Sequence, residues 1–159
     1  MTLHTIDPVW DENSKVLILG SFPSVKSREE GFFYGHKQNR FWRVLASVCD
    51  CSVPQNIDEK KSMLLANGIA VWDVIHSCDI VGSSDSSIKN VVPNDIDDIV
   101  KKSHIERIFT NGKKADELYK KYIEQTVDIS AECLPSTSPA NAVWTLEKLC
   151  EEWKKRLLD

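Results

Sequence analysis

The chain has 159 residues, 42% of them hydrophobic, and a formal net charge of -4 from 24 acidic and 20 basic side chains. That size and apolar content suffice for one compact domain, expected to span residues 1–159, with a core that needs no disulfide or metal. The acidic total excludes a whole-molecule field that would draw the chain to a polyanion, so any nucleic-acid contact has to be local.

The opening stretch MTLHTIDPVWDENSK lacks the basic-then-apolar order of a signal peptide. With no apolar run of membrane-spanning length anywhere, the expectation is a cytoplasmic protein that does not engage a membrane. Five cysteines (Cys49, Cys51, Cys78, Cys133, Cys150) contain no C-x-x-C pair. They fit reduced thiols rather than a disulfide framework or a zinc or iron–sulfur site, and neither a metal nor another cofactor is expected.

VLILG at 16–20 is an unbroken apolar run closed by glycine, the pattern of a strand buried on both faces of a parallel sheet, and it should run straight into a loop. From Phe41 the positions of Val44, Leu45 and Val48 predict a helix ending near Cys49. IDEKKSMLLANG predicts a second helix stopped by Asn67 and Gly68. GIAVWDVI at 68–75 reads as a buried strand, and Val81 to Pro93, polar and rich in serine, as a long surface loop. NDIDDIVKKS predicts a helix capped by Asn94, IERIFTNG a third strand, GKKADELYKKYI a helix, and VDISAEC a fourth strand. In the last helix Ser138 would cap, Pro139 would occupy the first turn, and Val143, Leu146, Cys150, Trp153 and Leu157 would form the docking stripe. Strands alternating with helices predict an α/β fold, a three-layer α/β/α arrangement around a mostly parallel four-stranded sheet.

In such a sheet ligands bind beyond the carboxyl ends of the strands, and four polar segments fall there: GSFPS, WDVIHSC, TNGKKA and LPSTSPAN. None contains a catalytic Ser-His-Asp order, a metal cluster or a phosphate-cradling glycine loop. The segment GHKQNRFWR at 35–43 concentrates Lys37, Arg40, Arg43 and His36 just before two aromatic residues. A local cationic segment of this kind can grip a few phosphates while the acidic remainder limits nonspecific contact.

GSFPS at 20–24, FFYGHKQNRFW at 32–42 and LPSTSPAN at 134–141, with WDVI and NGKKA between them, resemble the uracil-DNA glycosylase superfamily, and within it most of all the hypoxanthine-DNA glycosylase family. The resemblance covers residues 16–142. It implies hydrolysis of the N-glycosidic bond of a deaminated base flipped out of DNA, leaving an abasic site. By the same resemblance Asn39 is the catalytic position and holds the attacking water. Its residue type also suits the cap of the helix that follows. An amide cannot take a proton at neutral pH, so the chemistry requires a bond that breaks largely before water attacks.

His36 and the amides of GSFPS are then candidates to stabilise the departing base. Ser21, Phe22, Pro23, Phe33, Tyr34 and Asp73 are candidates to hold it. Phe33 and Tyr34 are equally suited to core packing, and Asp73 to a chain turn. Ser24, Lys37, Arg40, Ser136, Thr137, Ser138 and Asn141 are candidates to contact DNA. Two departures stand out. Leu134 replaces a histidine frequent in uracil-specific members, and Ser21 and Phe22 occupy the first-loop region where other branches carry a catalytic Asn or Asp. His4, His76 and His104 show no spacing that suggests a shared site, although His76 is near Asp73 in sequence. Asn111 is expected to make a strand-to-helix turn. The partner is DNA containing a deaminated base and the expected state is a monomer. The alternatives are a glycosylase for uracil or thymine mispaired with guanine, a damaged-DNA-binding module without turnover, and a hydrolase of free deoxynucleosides.

Overall fold

The structure, a computed structural model, describes residues 1–158. Its elements in order are β1 (Thr2–Leu3), β2 (Val16–Gly20), α1 (Val25–Glu30), α2 (Phe41–Val48), α3 (Ile57–Ala66), β3 (Ile69–Asp73), β4 (Ile75–Asp79), β5 (Lys89–Pro93), α4 (Ile96–Lys101), β6 (Arg107–Asn111), α5 (Lys113–Tyr122), α6 (Glu124–Val127), β7 (Ala131–Leu134) and α7 (Leu146–Leu158). The central sheet is four-stranded and wholly parallel, in the order β3-β2-β6-β7. Its strands are apolar throughout because helices cover both faces. Ile18, Val71 and Phe109 face α2, α3 and α7 through Phe41, Leu64 and Trp153, while Leu17, Leu19 and Ile108 face α4 and α5 through Ile96 and Leu118.

Local signals place several elements where expected. Asn56 accepts from the Glu59 amide at 2.8 Å while the Glu59 carboxylate reaches back to the Gln55 amide at 3.0 Å, so α3 starts on a reciprocal cap. The segment 68–75, expected as one strand, is two. After β3 the chain leaves the central sheet at Asp73, and β4 joins β1 and β5 in a separate antiparallel sheet. The surface loop expected at 81–93 is shorter than predicted, because 89–93 forms β5 and 85–87 a single 3-10 turn. Its first half is pinned to α1. Ser83 Oγ accepts from the Val25 amide at 2.9 Å, and Arg28 donates to the Gly82 carbonyl at 2.6 Å.

Two caps also differ from expectation. Asp95, not Asn94, caps α4. Asn94 is buried and its amide spans the carbonyls of Asp73 and Ile75, locking the bend between the sheets. The last helix starts at Leu146 rather than near Ser138, with Thr145 accepting from the Lys148 amide at 3.2 Å. Residues 135–145 are held in an irregular loop by Arg40, so Val143, expected to begin the docking stripe, is 86% exposed. Leu149, Trp153 and Leu157 make the buried face instead.

Candidate active site

Because the four central strands are parallel, their carboxyl ends Gly20, Asp73, Asn111 and Leu134 lie along one edge, and the segments after them surround a cleft of about 360 Å³. Ser21, Phe22, Pro23, Ser24, Phe33, Tyr34, His36, Asn39 and Asp73 all line it, as do Ser136, Thr137 and Ser138 of LPSTSPAN. Lys37 is exposed and does not line it, and Asn141 borders an adjoining cleft of about 640 Å³ that shares Ser136 and Ser138. Lysine is absent from the lining, and among the described residues no cluster of three His, Cys, Asp or Glu is placed to hold a metal ion.

Asn39 is held by a directional network. Its Oδ1 accepts from the Phe41 amide at 2.9 Å and from the Thr137 hydroxyl at 2.9 Å. A backbone N–H can only donate, so this contact fixes the oxygen end of the amide. Thr137 Oγ1 in turn accepts from Asn111 Nδ2 at 3.0 Å, and the Thr137 amide donates back to Asn111 Oδ1 at 3.0 Å. Both lone pairs of Asn39 Oδ1 are therefore engaged, and Nδ2 is the end left open at the cleft. The N-cap position of α2 is Arg40, without a side-chain cap bond, while Asn39 one residue earlier accepts from the first helical amide, and the same bonds orient its donor. Asn111, expected only to make a turn, is a member of this network.

Thr137 is fully buried and its hydroxyl is committed between two amides, so it supports Asn39 rather than reaching a phosphate. Arg40, expected on DNA, also turns inward. Its guanidinium donates to the carbonyls of Ser138 at 2.8 Å, Asn141 at 3.1 Å and Trp144, and its Nε to Thr137 at 3.4 Å. A planar fork suits four carbonyls of one loop, and the charge satisfies acceptors that a loop leaves unpaired. Ser136 and Ser138 each accept one backbone N–H within LPSTSPAN and keep their own O–H to donate, while the Asn141 side chain donates to the Ser136 carbonyl. Ser24 caps α1, and Ser27 accepts from the Gly35 amide at 2.9 Å, joining GSFPS to GHKQN. His36 is exposed and accepts from the Gln38 amide at Nδ1, which leaves Nε2 as its donor in the neutral ring.

Another wall carries a hydrogen-bonded histidine–aspartate pair that spacing did not reveal. His4 Nε2 lies 2.8 Å from Asp73 Oδ2, with both side chains buried. The Ile6 amide donates to His4 Nδ1 at 3.3 Å, so the imidazole proton sits on Nε2 and points at the carboxylate. The segment that brings His4 there is fastened by the His4 amide to the His76 carbonyl at 2.7 Å and by the Val9–Val71 bridge. A buried aspartate at a strand end needs a partner, and that need was the available signal. His76 is exposed and outside the cleft.

Beside Asp73 stands Tyr34, whose hydroxyl is sealed from solvent and has no hydrogen-bond partner. Its burial, reinforced by the charge of Asp73, pushes the phenol far above its ordinary range, so it stays protonated. Asp85, from the 3-10 turn, accepts from Ser21 at 3.1 Å at the cleft rim, and burial of its carboxylate raises its pKa.

Fold and cleft together define the class: a three-layer α/β protein whose polar cleft opens at the carboxyl ends of its parallel strands. The chain belongs to the uracil DNA glycosylase superfamily, whose family model matches residues 8–159. It is 36% identical over 137 residues to a hypoxanthine DNA glycosylase of Methanosarcina acetivorans, covering 84% of both chains. It is 32% identical over 136 residues to a hypoxanthine DNA glycosylase of Methanosarcina barkeri, covering 84% of this chain and 85% of that one. A solution NMR structure described as a candidate uracil DNA glycosylase from Methanosarcina acetivorans superposes with a TM-score of 0.81 at 31% identity, over 94% of this chain and 92% of that one.

Proposed function

We propose that this protein is a monofunctional DNA glycosylase that excises deaminated bases, hypoxanthine foremost and uracil and xanthine beside it. The observation that carries this reading is Asn39, held by two donors to its oxygen so that a single amide N–H end is left at a base-sized cleft. The names of the two Methanosarcina relatives support hypoxanthine as the leading substrate.

The chemistry follows from that orientation. Asn39 Nδ2 donates to one lone pair of a water molecule and leaves the other lone pair for the anomeric carbon. No proton passes to the amide, so the N-glycosidic bond breaks first, giving an oxocarbenium-like sugar and a base anion. The positioned water then adds to the sugar cation and its proton leaves to solvent or to the departed base. His36 Nε2 and the backbone amides of the GSFPS turn are the donors offered to the leaving base. The absence of lysine from the lining supports a monofunctional enzyme, since a Schiff base needs an amine at the sugar.

Single-turnover base release, with enzyme in excess over oligonucleotides carrying deoxyinosine, deoxyuridine or deoxyxanthosine, tests the reading. Wild type should produce cleavable abasic sites, and Asn39→Ala should slow their formation by about 100-fold or more. Equal rates in the two proteins would reduce Asn39 to a helix cap. No release from any of the three lesions would leave a damage-binding module.

A further inference from the structure

We propose that the cleft of about 640 Å³ beside the base cleft is a second base site, which receives the nucleotide next to the lesion and stacks its base on Trp144. The inference rests on the first cleft being a base site and adds a second position along the same strand.

The two clefts are continuous. Asp85, Ser136, Ser138 and Ala140 line both, so a strand whose extruded base fills one has its next nucleotide at the mouth of the other. The second cleft has the chemistry of a flat, uncharged ligand. Trp144 is half-buried in its wall, Leu134 and Pro135 add apolar surface, and the hydroxyls of Ser136 and Ser138 stand where it meets the first. An aromatic face with a few polar groups around it suits a nucleobase of any sequence, because every base has a π-face. The other group a neighbouring nucleotide presents is its phosphate, and the charges disfavour it. Lys113 and Arg156 are balanced in the lining by Asp85 and Glu152, and Arg156 is already paired with Glu152 at 3.3 Å and Glu132 at 3.5 Å.

The stacking wall is built before DNA arrives. Arg40 donates to the Trp144 carbonyl, and the Trp144 amide donates to the Asn141 carbonyl at 3.2 Å. The Asn141 side chain in turn donates to the Ser136 carbonyl at 3.0 Å. From the other side Gly112 lets the turn before α5 close on Ser136, since a Cβ there would lie 3.1 Å from the Ser136 Cβ. A ring on a backbone fixed in this way loses little freedom when a base stacks on it. Arg40 thus ties the seat of Asn39 and the stacking wall to one guanidinium. The arrangement has a physical purpose. Extruding the lesion takes a stacking partner from its neighbour, and Trp144 supplies a replacement, which lowers the cost of extrusion.

Single-stranded oligonucleotides carrying one non-cleavable 2′-fluoro-arabino hypoxanthine nucleotide test the second site, because there the neighbour leaves its stack without breaking a pair. The neighbouring base is removed by a tetrahydrofuran spacer placed in turn 5′ and 3′ of the lesion. Binding by wild type should weaken about tenfold on one side and little on the other, since the second cleft adjoins the first on one side. Trp144→Leu keeps apolar packing and removes the stacking face. It should bind the intact oligonucleotide about tenfold more weakly and lose nothing further to the spacer, while Trp144→Phe keeps most of the wild-type affinity. The proposal is overturned by wild-type affinities that ignore both spacers, a result that needs no variant. It is equally overturned by a Trp144→Leu protein that melts as wild type does and still loses the full factor to the spacer. Base release from deoxyinosine is measured in parallel. A one-sided spacer effect without release sinks the glycosylase reading alone, release without a spacer effect sinks the second site alone, and the absence of both sinks both.

Discussion

Asn39 invites two opposite chemical readings, and its bonds separate them. An amide that oriented water through its oxygen would need a free lone pair on Oδ1, yet the Phe41 amide and the Thr137 hydroxyl take both. Asn39→Asp keeps both of those bonds and removes only the N–H donor. If the oxygen acted, the aspartate would serve as a true base and release hypoxanthine at the wild-type rate or faster. With the donor acting, the rate should fall by about 100-fold at an unchanged melting temperature, read by single-turnover kinetics and calorimetry. Thr137→Val differs in kind. It leaves Asn111 Nδ2 unpaired in a buried site and lets the Asn39 amide turn, so it should lose about 1–3 kcal/mol of stability together with rate.

At the scale of elements, legibility followed the range of the interactions. The parallel strands β2, β3 and β6 and the helices α3 and α5 carry their signals within a few residues, in apolar runs, an Asn cap and a terminal glycine, and they lie close to where the pattern put them. The polar segments at the carboxyl ends of those strands did meet in one cleft. What was not legible is held from far along the chain. The 135–145 loop resembles a helix start in sequence, but Arg40, about a hundred residues away, satisfies its carbonyls instead. His4 and Asp73 are 69 residues apart, and no periodicity relates them. Arg40→Lys puts the loop's dependence to the test. An ammonium cannot match the planar fork, so the variant should melt about 4–8 °C lower and release base more slowly, because Thr137 and with it Asn39 lose their seat. An unchanged melting temperature with weakened DNA binding would return Arg40 to the phosphate contact that its sequence context suggested.

For the molecule as a whole, the question is how a chain of net charge -4 holds a polyanion. With Arg40 turned inward, the cationic segment 35–43 offers solvent only Lys37 and Arg43, with His36 beside them. Each phosphate neutralised on duplex DNA contributes about -0.9 to the slope of log affinity against log salt. Two or three such contacts predict a shallow slope of about -2 to -3, well short of that of a protein that coats the duplex. Lys37→Ala and Arg43→Ala should each flatten it by about one and weaken binding to damaged and undamaged DNA alike, since phosphate contacts carry no base information. A steep slope in wild type, or a Lys37→Ala variant that changed the preference among bases, would contradict this division of labour. The acidic remainder then has a physical consequence. It repels the flanking duplex, so residence at any site depends on what the cleft can hold, and a base that fails to fit gives the protein little reason to stay.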